Sequence, residues 1–340
     1  MSHGEHPKKV AVVIPCFRVI DHVLGVISRI GPEVFRIYTV DDACPDESGE
    51  FIAKNANDPR VVVIFRPQNG GVGAATLTGY QAALKDGAEI IVKIDGDGQM
   101  DPSLIDRFIH PIAIGHADYT KGNRFFDLEG VVNMPRVRLF GNAVLSFVSK
   151  LSTGYWSVFD PTNGFTAIHA NVAKRLPLGK ISSRYFFETD MLFHLNVLKG
   201  VVVDVPMEAV YGDEVSNLKI SKILPEFVLK HASNFFKRIF YSYFLRDMSV
   251  ATFELLGGLF LFSFGALFGL VEWVRLSHRG EFATAGTVML AGLPVMVGIQ
   301  LLLAFLNFDI FATPRTPIHS LLWMDYRGAT SSGVLESDNT

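Results

Sequence analysis

Cysteine is almost missing: Cys16 and Cys44 are the only two in 340 residues. That excludes a disulfide framework and a zinc site built on four thiolates, and it suits a reducing compartment. Charge is scarce too, with 19% Asp, Glu, Lys and Arg against about 25% in an ordinary soluble domain. What charge there is nearly cancels, at a net -3. No basic excess therefore points to nucleic acid as a partner. The chain carries no internal repeat and no low-complexity tract apart from a polar tail after Arg327. A secretory leader is not expected either, because the first apolar run, Val10–Ile14, is short and stops at Pro15. Residues 1–215 are accordingly expected in the cytoplasm.

Apolar residues fill the gap. Phe alone counts 28, and mean hydropathy is +0.28. The excess is concentrated near the C-terminus. Leu255–Val271 contains no charged residue and lies between Glu254 and Glu272; Phe282–Phe308 is a second uncharged run. About 20 helical residues cross a hydrocarbon core, so the pair is expected to form a transmembrane hairpin joined by Arg275–Glu281. Two buried helices of a soluble core are the alternative; abundant glycine and few polar interruptions favour the membrane. Ser216–Asp247 carries six Lys or Arg (Lys219, Lys222, Lys230, Lys237, Arg238, Arg246) against Glu226 and Asp247. Aromatic residues are interleaved with them over Val228–Leu245, which reads as an interfacial amphipathic helix. By the positive-inside rule both termini are expected in the cytoplasm, although the connector is itself basic. The expected layout is a catalytic domain over 1–215, juxtamembrane helices over 216–247, two spans over 248–310 and a cytoplasmic tail over 311–340. This describes a multi-pass protein of the inner (plasma) membrane.

The first part alternates strand and helix. Lys9–Ile14, Phe35–Val40, Val61–Phe65 and Glu89–Ile94 are apolar runs, separated by helical stretches near 20–30, 46–57, 74–85 and 102–114. Such alternation predicts an α/β domain with a mostly parallel, Rossmann-like sheet. Ligands in such sheets sit beyond the carboxyl ends of the strands. Pro15, Asp41-Asp42, Arg66–Gly73 and Asp95–Gln99 all fall there.

Asp95-Gly96-Asp97-Gly98-Gln99 is the strongest local signal. Two carboxylates one residue apart, with glycines freeing the backbone, can offer oxygens to a hard divalent cation such as Mg²⁺ or Mn²⁺ that bridges to a diphosphate. The alternative is a turn in which Asp and Gly only supply tight geometry. Asp41 and Asp42 repel one another unless one of them meets a hydrogen-bond donor, for instance on a ribose or a base edge. Asn69-Gly70-Gly71-Val72-Gly73 precedes a helix but has no Lys-Ser/Thr pair, so it is not a P-loop. Arg124, Arg136 and Arg138 have the bidentate geometry that suits a phosphate.

In this order the motifs resemble family 2 glycosyltransferases of the GT-A fold, in the dolichyl- or polyprenyl-phosphate sugar synthase group. VVIPCFR is similar to the family's opening strand, VDDACPDES to V-D-D-G-S-x-D, NGGVGAA to N-x-G-x-G-x-A and DGDGQ to D-x-D-x-Q. Gly122-Asn123-Arg124 resembles a G-S-R segment, Asp160–Phe165 resembles D-x-x-S-G-F, and Phe187–Asp190 resembles F-E-x-E/D.

The resemblance implies a nucleotide-diphospho-sugar transferase fold followed by a C-terminal hairpin. It implies that Pro15, Asp41, Asp42 and Gly73 lie at the nucleoside, and that Asp95, Asp97 and Gln99 hold Mg²⁺ or Mn²⁺. Arg124, Arg136, Arg138 and Asn142 are implied to lie at the acceptor phosphate, and Glu188 along the site. Asp97, Asp160 and Arg138 are the expected catalytic groups, with Asp160 as an orienting or base-like carboxylate. The implied reaction is inverting transfer of one hexose, from GDP-mannose or UDP-glucose, to undecaprenyl or dolichyl phosphate. A homo-oligomer is compatible with this. Two other readings compete: a processive polysaccharide synthase, whose Q-x-x-R-W segment is missing here, and a membrane-anchored scaffold that binds a nucleotide sugar without turnover.

Overall fold

A computed structural model describes residues 8–126, 136–208 and 220–322. Contacts divide the chain into two units, Met1–Phe235 with Pro314–Thr340, and Phe236–Thr313. The expected regions 127–135, 209–219 and 323–340, which include Lys219, Arg327 and the polar tail, lie outside the described residues.

The first unit begins with β1 (Val10–Cys16), α1 (Ile20–Ser28), β2 (Val34–Asp41), α2 (Ser48–Asn55), β3 (Val61–Phe65), α3 (Val72–Lys85) and β4 (Ile90–Lys93). It continues through α4 (Ile105–Ala113), β5 (Tyr119–Asn123), α5 (Arg136–Thr153), β6 (Thr166–His169), α6 (Ala170–Arg175), α7 (Phe187–Leu198) and β7 (Val202–Pro206). The strands form one seven-stranded sheet in the order β3-β2-β1-β4-β6-β5-β7. Runs such as Val10–Ile14 are apolar throughout because helices cover both faces of the sheet. Val12, Ile14 and Val92 face one buried cluster, while Val13 and Ile91 face the other.

β1 to β4 match the four apolar runs in the sequence. The other three strands were not expected. β6 runs antiparallel between β4 and β5, and β7 extends the sheet parallel to β5. All five residues of β5, Tyr-Thr-Lys-Gly-Asn, are buried, although they carry no apolar pattern. Because β6 is reversed, its N-terminal end reaches the same edge as the carboxyl ends of its neighbours: Lys93 pairs with Thr166, and Thr166 with Lys121.

The opposite edge holds a clasp. Asp118, fully buried just before β5, accepts bonds from the Val201 amide (2.8 Å), the Ile318 amide (2.9 Å), the His319 amide (2.8 Å) and His319 Nδ1 (2.7 Å). Its burial favours the neutral acid, but His319 and the three amides outweigh it and hold the carboxyl below its ordinary range. The His319 ring stacks on His169 with centroids 4.4 Å apart. The residues after the hairpin thereby belong to the first unit.

In the second unit, α8 (Ile220–Phe240), which begins in the first, leads through a π-turn (Tyr241–Arg246) to α9 (Val250–Arg279) and α10 (Ala285–Phe311). At 30 and 27 residues these last two helices are about 45 and 40 Å long, enough to cross a membrane. Only 11% of the most apolar stretch of each is buried, whereas a core helix of a soluble domain would be mostly buried. Small residues form the seam between them: a side chain at Gly265 would meet the Ala291 carbonyl at 2.6 Å, and one at Gly298 the Phe262 amide at 2.5 Å. Such close approach is a common way for apolar helices to pack.

The connector is shorter than the sequence suggested, because α9 continues through Arg279 to a left-handed Gly280. Arg238 also differs from expectation. It is not an interfacial cation but is buried against Asp309, with Nη1–Oδ1 at 2.6 Å and Nη2–Oδ2 at 3.0 Å. The Tyr243 hydroxyl donates to the same carboxylate at 2.6 Å. A guanidinium this deep must be paired.

The clasp makes stability depend on pH. Burial, followed by the neighbouring His319, pushes His169 down to about 3, so the folded chain resists a proton that the unfolded chain accepts near 6.5. That contribution is complete above about 6.5 and falls away as the pH drops toward 3; the contribution of Asp118 is lost in the same direction, at lower pH. The melting temperature should therefore fall between pH 7 and pH 5. His169 Nδ1 accepts from the Asn171 amide at 3.1 Å, and His169→Gln, whose amide oxygen can still accept there, should flatten that slope; an unchanged slope in thermal denaturation would contradict the assignment.

Candidate active site

The carboxyl edge of the sheet gathers most of the residues singled out in the sequence, but they do different jobs. Asp41 is buried and accepts from the Cys44 amide (2.8 Å) and the Gly49 amide (2.6 Å). It closes the turn into α2. Asp42 pairs with Arg66 and accepts from the Gly70 amide (3.0 Å) and the Gly71 amide (2.7 Å). It ties β2 to the loop that enters α3. The repulsion between adjacent acids is thus relieved by the chain's own amides and Arg66. Pro15 lies at the end of β1 opposite Val40. Gly73 lies in the first turn of α3, where a side chain would meet the Ser182 carbonyl at 2.6 Å and Phe187 at 2.8 Å. Its structural task is close packing between α3 and α7. Burial, then Asp41, pushes the Cys16 thiol far above its usual range, which leaves it inert.

The Asp95–Gln99 turn follows β4 directly. Asp97 Oδ1 accepts from the Gln99 amide at 3.0 Å, and Gly98 takes the left-handed φ of +79° that the turn requires. Asp95, Asp97 and Gln99 are half-buried. Beneath them is a group the sequence reading did not single out. Lys93, 1% exposed, places Nζ 2.8 Å from Asp95 Oδ1 and 3.1 Å from Glu188 Oε1. Burial opposes its charge, but the two carboxylates prevail and raise its pKa. A signal was available: a lysine inside the apolar run EIIVKI needs a buried counter-ion.

A second ion pair lies two strands along the sheet from this turn, across β6. Arg124, just past β5, binds Asp160 through Nε (2.7 Å) and Nη2 (3.0 Å). Asp160 is 1% exposed and also accepts from Asn163 Nδ2 at 3.3 Å. Held in this way, Asp160 is placed to orient Arg124. Lys121 donates to the Asn163 carbonyl, and burial pushes it down to about 8. Asp204 accepts from Asn123 Nδ2 (3.0 Å) and the Phe159 amide (3.1 Å), and burial pushes it up to about 6.

Gly164 brings the two halves together. A side chain there would come within 2.3 Å of Asp95 Oδ2 and 2.6 Å of Lys93 Nζ. The structure therefore assembles Asp95, Glu188, Arg124 and Asp160 around Lys93, Lys121 and Gly164. Asn142 is half-buried on α5. Arg136 and Arg138 begin that helix, and their side chains lie outside the described residues.

Among the described residues, no three His, Cys, Asp or Glu side chains converge as a metal cage. The turn instead offers two carboxylates and an amide. That suits Mg²⁺ or Mn²⁺, which takes one or two protein carboxylates and completes its shell with phosphate oxygens and water. The donor set fits such an ion and not a structural zinc.

The sequence profile described as glycosyl transferase family 2 matches residues 11–176. An undecaprenyl-phosphate mannosyltransferase of Micrococcus luteus is 29% identical over 203 residues, covering 58% of this chain and 82% of its own. A UDP-N-acetylglucosamine–dolichyl-phosphate N-acetylglucosaminyltransferase of Methanococcus voltae is 29% identical over 220 residues, covering 61% and 87%. Among solved structures, glucosyl-3-phosphoglycerate synthase from Mycobacterium tuberculosis, crystallised with Mn²⁺, UDP and glucosyl-3-phosphoglycerate, is similar with a TM-score of 0.52 at 16% identity. That likeness covers 68% of this chain and 80% of the other. It shows that the fold is GT-A-like.

The contact at Gly164 is open to test. Gly164→Ala must displace the Asp95 carboxylate and should cost about 1–3 kcal/mol, read as a melting temperature several degrees lower. Gly25→Ala, with nothing within 4 Å of the added carbon, should leave the melting temperature unchanged or slightly higher. Equal behaviour of the two variants would remove the close-approach argument.

Proposed function

Since the chain carries a glycosyl transferase family 2 domain, we propose that it transfers one hexose from a nucleoside-diphosphate sugar to a polyprenyl phosphate, with inversion. The observation that carries this reading is the pairing, at one sheet edge, of an acidic Asp95–Gln99 turn with the Arg124–Asp160 ion pair. The apolar hairpin in the same chain and the substrates named for the relatives support it further. An acceptor that lives in lipid is best met by an enzyme held at the membrane. The proposed placement is a multi-pass protein of the plasma membrane, with the catalytic domain and both termini cytoplasmic.

In this mechanism Asp97 and Gln99, with Asp95, hold Mg²⁺ or Mn²⁺. When bound, the cation neutralises the donor diphosphate and stabilises it as a leaving group. A phosphate monoester is already an anion at pH 7, so the acceptor needs little help from a base. Its oxygen attacks the anomeric carbon, the bond from that carbon to the diphosphate oxygen breaks, and the nucleoside diphosphate leaves with the electron pair. Arg124, kept in place by Asp160, presents a planar guanidinium to the acceptor phosphate. Arg136, Arg138 and Asn142, all on α5, are proposed to meet the same phosphate, as the family resemblance implies. Pro15, Asp41, Asp42 and Gly73 shape the nucleoside side of the edge, the two acids by holding its loops closed. The site works by aligning two anions and offsetting their repulsion.

GDP-mannose and UDP-glucose are the proposed donors, and UDP-N-acetylhexosamine is the first competitor, because the relatives are named for both mannosyl and N-acetylglucosaminyl transfer. Purified protein, undecaprenyl phosphate, Mg²⁺ or Mn²⁺ and a panel of radiolabelled nucleotide sugars should yield labelled lipid from one donor. Removal of the cation by chelation, or Asp97→Ala, should lower transfer by about 10²-fold or more. Absence of labelled lipid with every donor overturns the reading, and near-normal turnover by Asp97→Ala overturns the metal assignment.

A further inference from the structure

Lys93 is the last residue of β4, and its backbone is fixed on both sides of the strand, by pairing with Val13 of β1 and Thr166 of β6. Its side chain is 1% exposed and is not in a position to meet a substrate. Its ammonium meets two carboxylates, Asp95 and Glu188. Asp95 is confined in turn, with Oδ1 on the ammonium and Oδ2 against Gly164. Glu188 is equally well anchored. It lies in the first turn of α7, and two residues on, Asp190 accepts from the Ser182 amide (2.7 Å) and Asn234 Nδ2 (2.9 Å). An acid in an exposed glycine-rich turn ordinarily samples several rotamers. This one is held by a strand, a helix and a glycine wall before anything binds.

We propose that Lys93 is a positioning residue of the cation and diphosphate site: clamped by Glu188, its ammonium fixes Asp95 so that the Asp95–Gln99 turn is set in advance of the donor. This rests on the reading of that turn given above. Groups that orient the carboxylates of a metal site affect affinity nearly as strongly as the ligands themselves, and a pre-set site binds without first having to order its own side chains. The competing explanation is that Lys93 and Glu188 only balance one another's buried charge.

The two explanations separate in a binding experiment that needs neither acceptor nor turnover. Mn²⁺ is titrated into purified full-length protein with UDP and, separately, with GDP. Bound ion is followed by electron paramagnetic resonance, and melting temperature is recorded alongside. Lys93→Met should weaken Mn²⁺ binding about tenfold or more. The double variant K93M/E188Q removes both charges of the clamp; it should recover melting temperature relative to K93M while Mn²⁺ binding stays weak, because Asp95 is still unheld. Wild-type Mn²⁺ affinity in K93M, or in K93M/E188Q at any melting temperature, overturns the proposal and leaves the cation site standing. Failure of the wild-type chain to bind Mn²⁺ with either nucleotide overturns the cation site itself, and the proposal with it.

Discussion

A buried ammonium has to be neutralised where it sits, and Lys93 imposes that requirement at the middle of the seven-stranded sheet. One partner is local, Asp95 in the turn after β4, and the other, Glu188 at the start of α7, lies 95 residues further along the chain. Lys121 and Arg124 repeat the arrangement on β5, with Asp160 beside them. Lys93, Lys121 and Arg124 thus face Asp95, Glu188 and Asp160, a set whose formal charges cancel. Helix α7 and strands β4, β5 and β6 can meet at this edge because the charges they bring are matched.

That balance also suits the chemistry. In the proposed reaction two anions approach one another, and their repulsion has to be offset where they meet. Fixed cations and dipoles inside a weakly polarisable surround act more strongly than the same groups in water. Asp160 and Glu188 serve by holding other side chains in place. Asp41 and Asp42 do comparable work for the backbone, each fastening a loop through amide hydrogens.

Much of this was legible in the sequence where one local rule dominates. Continuous apolar runs marked β1 to β4, and two uncharged stretches marked α9 and α10. The acidic turn stood out because glycines flank its acids. The signal failed where tertiary surroundings decide. β5 is buried although it reads Tyr-Thr-Lys-Gly-Asn, since Lys121 and Asn123 are satisfied by Asn163 and Asp204, 42 and 81 residues along the chain. β6 has only four residues, too few to show a period. Arg238 looked like one cation of a basic interfacial helix, and its buried partner Asp309 lies 71 residues away. The amides that hold Asp42 are 28 and 29 residues off, beyond any spacing rule.

The clasp at Asp118 imposes an order on synthesis. Asp118 lies about a third of the way along the chain, but of the four groups that donate to its carboxylate three belong to Ile318 and His319, 200 and 201 residues later. A ribosome delivers those donors only after both apolar helices have been made. Until then the acid that closes the far edge of the sheet is short of partners, in a sheet otherwise ready to fold. The first unit therefore reaches its final stability after the hairpin has left the ribosome, and a chain cut short before residue 318 has the residues of the site edge but lacks the fastening behind it.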